Sequence, residues 1–403
     1  MITSEEALEL VLAESELCPP EMVNLKQAIG RVLASEINTP FNLPRFANSA
    51  VDGYALSSAP GIGQIGVVRT IGAGDLAGEP IKSDECVKIF TGAPTPPGAY
   101  AVAMQEDCDI QGNAIRVKGA LKLRQNIREE GEEFRAGESV LSAGMPINSA
   151  GIAIIASLGL QEVSVYSKPK IGIVVTGAEL IPPGQDLAEA KIYESNSFGL
   201  IATLSEIQFS PTVVTLVDDD PERTSCALRE AIDECDVLIV TGGVSVGDRD
   251  VVRSALISLG VEGIFWRVAI KPGKPIFFGK RTSKGLSKQV VFGLPGNPMA
   301  VLVLFRLFVQ PYLQRSIGFN KPVLPWRATL LQDIPHKVGR RELVPGVLTV
   351  GEKEFSVQPI LGQGSHMLGG LARANGLIDV PSESEGIVAG QSVLVLPFGR
   401  GMA

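Results

Sequence analysis

Histidine and cysteine are scarce in this 403-residue sequence, which holds two of the first and five of the second. His336 and His366 form no HExxH pattern. Cys18, Cys86, Cys108, Cys226 and Cys235 are odd in number and nowhere spaced as Cys-x-x-Cys. These absences argue against a structural zinc site and a disulfide framework. Any metal is expected to be a hard cation held by carboxylate oxygens. A basic surplus is missing as well, since 36 Lys and Arg face 44 Asp and Glu, a net charge of −8. A general nucleic-acid binder needs cations to displace counterions, so no nucleic-acid partner is expected. An anionic small molecule stays compatible, because local placement of charge decides that. Long apolar runs are missing too. The least charged stretch, Ser139–Gln161, contains Pro146, Asn148 and three glycines, and only Ile152–Leu160 is strongly apolar. A membrane span needs about 20 apolar residues, so none is expected. The acidic opening Met-Ile-Thr-Ser-Glu-Glu lacks the basic start of a signal peptide, and the expected location is the cytoplasm. Neither a Walker A sequence nor a GxGxxG after a strand is found, which disfavours an ordinary P-loop NTPase or dinucleotide domain.

What is present reads as a multidomain chain, with two to four domains expected at this length. Leu8, Val11 and Leu12 recur at helical spacing in a first helix over Thr3–Leu17, where Thr3 and Glu6 make a capping box. A second short helix is expected around Leu25–Ser35. From about Asn42 to Val117, runs such as Ile65–Thr70 and Cys86–Phe90 alternate with Gly and Pro turns, a β-rich domain inserted into a helical and linker segment. From Lys170 the pattern becomes strand Ile171–Thr176, helix Ser195–Ile207, strand Val213–Val217, helix Pro221–Glu234, strand Val237–Thr241 and helix Arg249–Leu259. Strands Ile276–Phe278 and Val290–Phe292 and a helix from Pro298 to about Leu313 follow. Apolar runs separated by helix-length segments mean parallel strands with crossovers, a doubly wound α/β domain whose ligands bind at the carboxyl ends of the strands. After Pro322 a glycine-rich β tail suggests a small barrel or sandwich. The one internal echo is a pair of strand ends, both reading Thr-Gly.

Four segments at the ends of α/β elements carry chemistry. In Thr176-Gly-Ala-Glu179-Leu, Gly177 lets backbone amides approach a phosphate and Glu179 offers a cation ligand. An ordinary turn explains it equally well until the long loop through Pro182, Pro183 and Gly184 is counted, since such loops are usually functional or disordered. In Asp218-Asp219-Asp220-Pro221, Asp220 fits a helix cap, and the surplus acids make Asp219 or a neighbour a candidate Mg²⁺ ligand. Thr241-Gly-Gly-Val-Ser245-Val-Gly-Asp248-Arg-Asp250 frees the backbone at Gly242, Gly243 and Gly247 to wrap an anion, with the Ser245 hydroxyl as donor and acids opening the next helix. In Lys271-Pro-Gly-Lys274-Pro275, two lysines in a stiff turn call for an anion. The following Leu294-Pro295-Gly-Asn297-Pro298 reads as a capped helix start. Carboxylates for a divalent cation beside lysines and backbone donors for phosphate are the mixture that phosphoryl chemistry uses.

Those segments, together with Ser49-Ala-Val-Asp52-Gly-Tyr-Ala, Ile89-Phe-Thr91-Gly-Ala and Asn126-Ile-Arg128-Glu-Glu-Gly-Glu, resemble the molybdopterin molybdenumtransferase family, which includes the C-terminal part of gephyrin. The matches occur in family order across almost the whole chain. The resemblance implies a four-domain, elongated homodimer: a helical linker domain over 1–44 and 135–168, an inserted β-rich domain over 45–134, an α/β molybdopterin-binding domain over 169–318 and a β-barrel over 319–403. It places the active site between the α/β domain of one subunit and the β-rich domain of the other. The implied reaction is Mg²⁺-dependent, consuming adenylylated molybdopterin and molybdate and giving molybdenum cofactor and AMP. The adenylyltransferase of the same pathway is an implied partner.

Carried over residue by residue, the family pattern gives Asp52, Thr91, Glu179 and Asp250 catalytic roles and Glu179, Asp219 or Asp220, and Asp250 metal-binding roles. It gives substrate contacts to Arg128, Gly242, Gly243, Ser245, Lys271, Lys274, Pro295, Pro298, Arg340 and Ser365. This sequence departs from relatives at Glu133 and Ala178, each in place of Asp, and at Pro345 in place of an arginine, which leaves Arg340 and Arg341 as the nearby bases. Two rival readings are a non-catalytic pterin-binding scaffold and an adenylyltransferase acting one step earlier. No fused partner-binding domain favours the first, and the β-rich segments at both ends oppose the second.

Overall fold

The computed structural model describes residues 1–243, 251–282, 288–320, 324–352, 354–362 and 364–399. They form two compact units, one of residues 1–22, 30–32 and 164–403, the other of residues 23–29 and 33–163.

In the first unit the opening helix spans Ser4–Ala13, shorter than the pattern suggested. Its capping box is formed: Thr3 Oγ1 accepts from the Glu6 amide at 3.1 Å and Glu6 Oε2 from the Thr3 amide at 2.8 Å. The α/β domain runs β1 (Ile171–Thr176), α1 (Asn196–Glu206), β2 (Val213–Val217), α2 (Pro221–Glu234), β3 (Val237–Thr241), α3 (Val251–Ser258), β4 (Glu262–Arg267), β5 (Pro275–Arg281), β6 (Gln289–Leu294) and α4 (Pro298–Leu304). The sheet order is β2-β1-β3-β6-β5-β4. β1, β2, β3 and β6 are parallel, with β1, β3 and β6 buried along their whole length, as apolar runs on a two-sided sheet require.

The last two strands correct the all-parallel expectation. β4, a strand the sequence pattern did not reveal, pairs antiparallel with β5, and β5 antiparallel with β6. The connections between them are too short for a crossover, which takes a dozen residues or more. An aromatic ladder packs this edge: Phe265–Phe278, Phe278–Phe292 and Phe292–Tyr312 have ring centroids 5.5, 4.9 and 5.7 Å apart. Each such pair adds about 0.5–1.5 kcal/mol beyond its burial. The expected final helix is interrupted by a π turn over Phe305–Val309 before Gln310–Ser316. Pro311 has no amide hydrogen to return to the preceding turn, so the ladder must widen there.

The C-terminal strands Trp326–Leu330, Arg341–Val350, Phe355–Pro359, Gly376–Val380 and Ser392–Pro397 close into a five-stranded barrel. Arg341–Val350 pairs with both Phe355–Pro359 and Gly376–Val380, and this double pairing completes the ring. Val344, Leu348, Val357, Ile378 and Val395 fill it, each fully buried side chain giving about 1.5–3 kcal/mol. Ile270–Lys271 joins the barrel as an extra parallel strand, with Ile270 opposite Arg341 and Lys271 opposite Glu342. The turn between β4 and β5 is thereby sewn to the barrel.

The second unit holds a six-stranded sheet ordered Ala101–Met104, Gly53–Leu56, Glu85–Ile89, Ile65–Ile71, Ala114–Val117 and Cys108–Gln111. Alternation along each strand separates two apolar layers. Ala55, Val87 and Val102 point into one, and Tyr54, Leu56, Cys86 and Ala103 into the other. The helix expected over residues 25–35 shrinks to Leu25–Ala28, because Ile29 already has extended backbone. No helix among the described residues is long and apolar enough to cross a membrane.

Candidate active site

The order β2-β1-β3 makes a topological switch point. The chain leaves β1 for β2 on one side and returns from β2 to β3 on the other, which opens a crevice beyond the carboxyl ends of β1 and β3. The two Thr-Gly ends therefore lie side by side. Val175 faces Thr241, and Thr241 faces Leu294 on β6, so three strand ends converge. Gly242 has φ +88°, and a Cβ there would sit 2.0 Å from the Thr176 carbonyl oxygen; only glycine permits that approach.

A cavity of about 930 Å³ opens here, lined by Thr176, Glu179, Asp219, Gly242, Gly243, Pro295 and Pro298 among others. Glu179 and Asp219, distant in sequence, share its wall, and Asp219 Oδ2 accepts from the Ala178 amide at 3.2 Å. Asp220 caps α2 by accepting from the Arg223 amide at 2.9 Å and does not line the cavity. Ser245 and Asp250 lie outside the described residues, as do Gly247, Asp248, Arg249 and Gln363. Among the described residues no three carboxylate, histidine or cysteine side chains gather closely enough to hold a metal.

The loop after β1 earns its length. Leu180–Ile181 pairs with Ile192–Tyr193, and this return brings Glu194 and Asn196 to the crevice. Glu194 is buried and accepts from the Ser197 amide and hydroxyl at 2.7 and 2.6 Å. Asn196 Nδ2 donates to Thr241 Oγ1 and to the Gly296 carbonyl, both at 2.9 Å, and Thr241 Oγ1 donates to the Pro295 carbonyl at 3.0 Å. Sequence reasoning missed Asn196, since a polar residue at a helix start reads as an ordinary cap. Thr176 Oγ1 and Asn196 Oδ1 are buried on this cavity without a hydrogen-bond partner. Groups of that kind are unusual and await a ligand or water.

A second cavity of about 580 Å³ adjoins the first, with Pro275, Pro295 and Asn297 in the walls of both. Lys271, Lys274, Arg340, Glu342, Pro345 and Ser365 line it, so all four bases and hydroxyls assigned to this region converge. Lys271 Nζ lies 2.7 Å from Glu342 Oε1. Arg341 is turned away, bound to Asp379 at 2.7 and 2.8 Å and to Glu5 at 2.9 Å. That leaves Arg340 as the guanidinium of the cavity, with Pro345 beside it. Asn297 holds the N-cap position of α4 but makes no cap bond; its amide donates to Ser365 Oγ at 2.9 Å, which corrects the reading of Asn297 as a plain cap.

In the second unit, Gly53 pairs with Ile89, so the residues just outside that pair meet. Asp52 Oδ1 accepts from the Thr91 amide at 2.7 Å and from its hydroxyl at 2.8 Å. These two bonds, the amide's first, hold the Asp52 carboxyl below its ordinary range. Arg128 is exposed opposite Asn48, and the Asn48–Ser49 segment also bonds to Gly92 and Ala93. Asp52, Thr91 and Arg128 thus come from three segments that meet at Asn48–Ser49.

A crevice at a switch point, with two carboxylates on one wall and a cationic pocket adjoining it, defines a doubly wound α/β protein whose ligand site lies at the carboxyl ends of its strands. Residues 2–159 match the family described as the MoeA N-terminal region (domain I and II), residues 172–315 the probable molybdopterin binding domain, and residues 327–398 the MoeA C-terminal region (domain IV). The chain is 33% identical to the molybdopterin molybdenumtransferase of Haemophilus influenzae over 99% of both chains. It is 34% identical to that of Nostoc sp. over 93% of this chain and 88% of the other. The crystal structure of the molybdopterin biosynthesis moeA protein from Pyrococcus horikoshii OT3 matches with TM-score 0.84 and 31% identity over 99% of this chain and 100% of that one. The chain belongs to the molybdopterin molybdenumtransferase family.

Proposed function

We propose that this chain transfers molybdenum from molybdate to adenylylated molybdopterin and releases AMP. The observation that carries the reading is the pair of adjoining cavities with Pro275, Pro295 and Asn297 common to both. One suits a phosphoanhydride and the other a tetrahedral oxyanion. In the larger cavity the amides near Gly242 and Gly243 and the unpartnered Thr176 hydroxyl hold phosphate oxygens. In the smaller, Lys274, Arg340 and Lys271 hold molybdate, with the Ser365 hydroxyl close by. The shared wall keeps the two reactants within reach of each other, which lowers the entropic part of the barrier.

Mg²⁺ is part of this proposal. Glu179 and Asp219 on one wall are hard oxygen donors of the kind it takes, and the family pattern adds Asp250 as a further carboxylate. When bound it would neutralise charge on the phosphate oxygens. Asp52, ionised and held by Thr91, and Arg128 belong to the same substrate-handling set, and the chain acts as a homodimer in the cytoplasm. It would receive its substrate from the adenylyltransferase of the pathway.

Purified protein incubated with adenylylated molybdopterin, molybdate and Mg²⁺ should release AMP and yield active cofactor. Molybdopterin binding without AMP release would turn the reading to a scaffold. Chelation should stop turnover, and Glu179→Gln should raise the Mg²⁺ concentration needed for half-maximal rate. Unchanged turnover in chelator would remove the metal from the proposal.

A further inference from the structure

His336 is a buried histidine that is satisfied at one ring nitrogen alone. Its side chain is 3% exposed, Nδ1 lies 3.0 Å from Glu342 Oε2, and Nε2 is buried without a partner. A carboxylate only accepts, so Nδ1 is the donor of the pair. An unmet buried nitrogen costs stability, and what the ring achieves in exchange is to hold one oxygen of Glu342. The other oxygen, Oε1, receives Lys271 Nζ at 2.7 Å. Backbone register presents the two to each other, because Lys271 and Glu342 are partners across the parallel pair that joins the α/β domain to the barrel.

We propose that Glu342, locked by His336, is a positioning and specificity residue for the oxyanion of the smaller cavity. It holds the Lys271 ammonium in place and trims the charge of the cavity to suit a fully deprotonated dianion. The inference rests on the oxyanion reading given above. Among the described residues the charged groups on this wall are Lys271, Lys274, Arg340 and Glu342, which leaves two positive charges in excess. That equals the charge of molybdate in magnitude and is opposite to it in sign. The carboxylate also discriminates. A free Oε2 facing the cavity would repel an oxyanion without protons and accept a hydrogen bond from one that carries a proton, as phosphate does. Bound to His336, Oε2 makes neither contact, and the choice shifts toward molybdate.

Calorimetric titration of the full chain with molybdate, and separately with inorganic phosphate, tests this. His336→Leu should weaken molybdate binding about tenfold and phosphate binding by less than about twofold. His336→Asn, whose amide can donate where Nδ1 did, should recover most of the loss. In a Glu342→Gln background His336→Leu should change nothing, because its effect runs through the carboxylate. Lys274→Gln serves as the control and should weaken both anions. If Lys274→Gln weakens molybdate while His336→Leu binds as the unaltered chain does, the role of Glu342 is overturned and the oxyanion reading stands. A His336→Leu deficit that persists with Glu342→Gln also overturns it, since a merely structural ring would behave that way. If Lys274→Gln changes nothing, or the unaltered chain binds no molybdate, the oxyanion reading fails and this inference with it.

Discussion

Asn297 and Ser365 join the α/β domain to the barrel loop at the wall between two cavities: the Asn297 amide donates to Ser365 Oγ at 2.9 Å from a position where asparagine would ordinarily cap its own helix. Pro298 at the first helical position starts α4 without that cap. The side chain is thereby released to span the border between the crevice at the strand ends and the cationic pocket.

Asn297→Ala should lower kcat/KM at least about tenfold, equivalent to ~1.4 kcal/mol of transition-state stabilisation. The helix should lose little, well under the ~1 kcal/mol typical of a deleted cap. Steady-state kinetics beside a denaturant titration separates the two. A large stability loss with normal kinetics would make Asn297 a structural residue.

Gly242→Ala should be destabilising and inactivating together. The new Cβ would fall 2.0 Å from the Thr176 carbonyl oxygen in a backbone with φ +88°. Strain of this kind costs about 1–3 kcal/mol, and the strand end that carries Thr176 must shift to relieve it. The urea midpoint should fall, and binding of AMP or a pterin phosphate should weaken in the same variant.

The Asp52 carboxyl should titrate below the ordinary aspartate value, followed by the NMR shift of its carboxyl carbon. The amide and hydroxyl of Thr91 favour the charged form. Thr91→Val, which keeps the amide and deletes the hydroxyl, should move the midpoint up toward the ordinary range. A carboxyl depressed in this way contributes to stability above its unfolded pKa, and the contribution fades as pH falls through the folded one.

Arg340 and Arg341 should part company on substitution. Arg341 is bound to Asp379 and Glu5 with its side chain 21% exposed, so Arg341→Ala should cost roughly 2–3 kcal/mol by stranding Asp379. Arg340→Ala should leave the melting temperature within about 2 °C while raising the molybdate KM several-fold. Equal stability effects in both would contradict the division of labour.

Much of the α/β domain was legible because its strands are continuous apolar runs bounded by helix-length segments. The limits of Ile171–Thr176, Val213–Val217, Pro221–Glu234 and Val237–Thr241 agree with the structure to the residue. β4 escaped notice because Glu262–Arg267 is an edge strand with a charged residue at each end, and its strand-forming run of Ile264, Phe265 and Trp266 is shorter than the run of about 4–8 that marks a strand. Residues 25–35 look helical by composition, and local backbone preference at Ile29 ended the helix early.

The sequence by itself determined most element types of the α/β domain, the glycine-bearing strand ends, the acidic and lysine-bearing turns and, by motif order, the family. Those follow from local sterics, apolar periodicity and short-range chemistry. Tertiary structure alone decided that Glu179 and Asp219 share a wall, that Arg340 faces the cationic cavity while Arg341 turns to Asp379, and that His336 reaches Lys271 through Glu342. Each of these depends on strand order and on the pairing of Lys271 with Glu342, contacts between residues far apart in the chain whose partners no local pattern specifies.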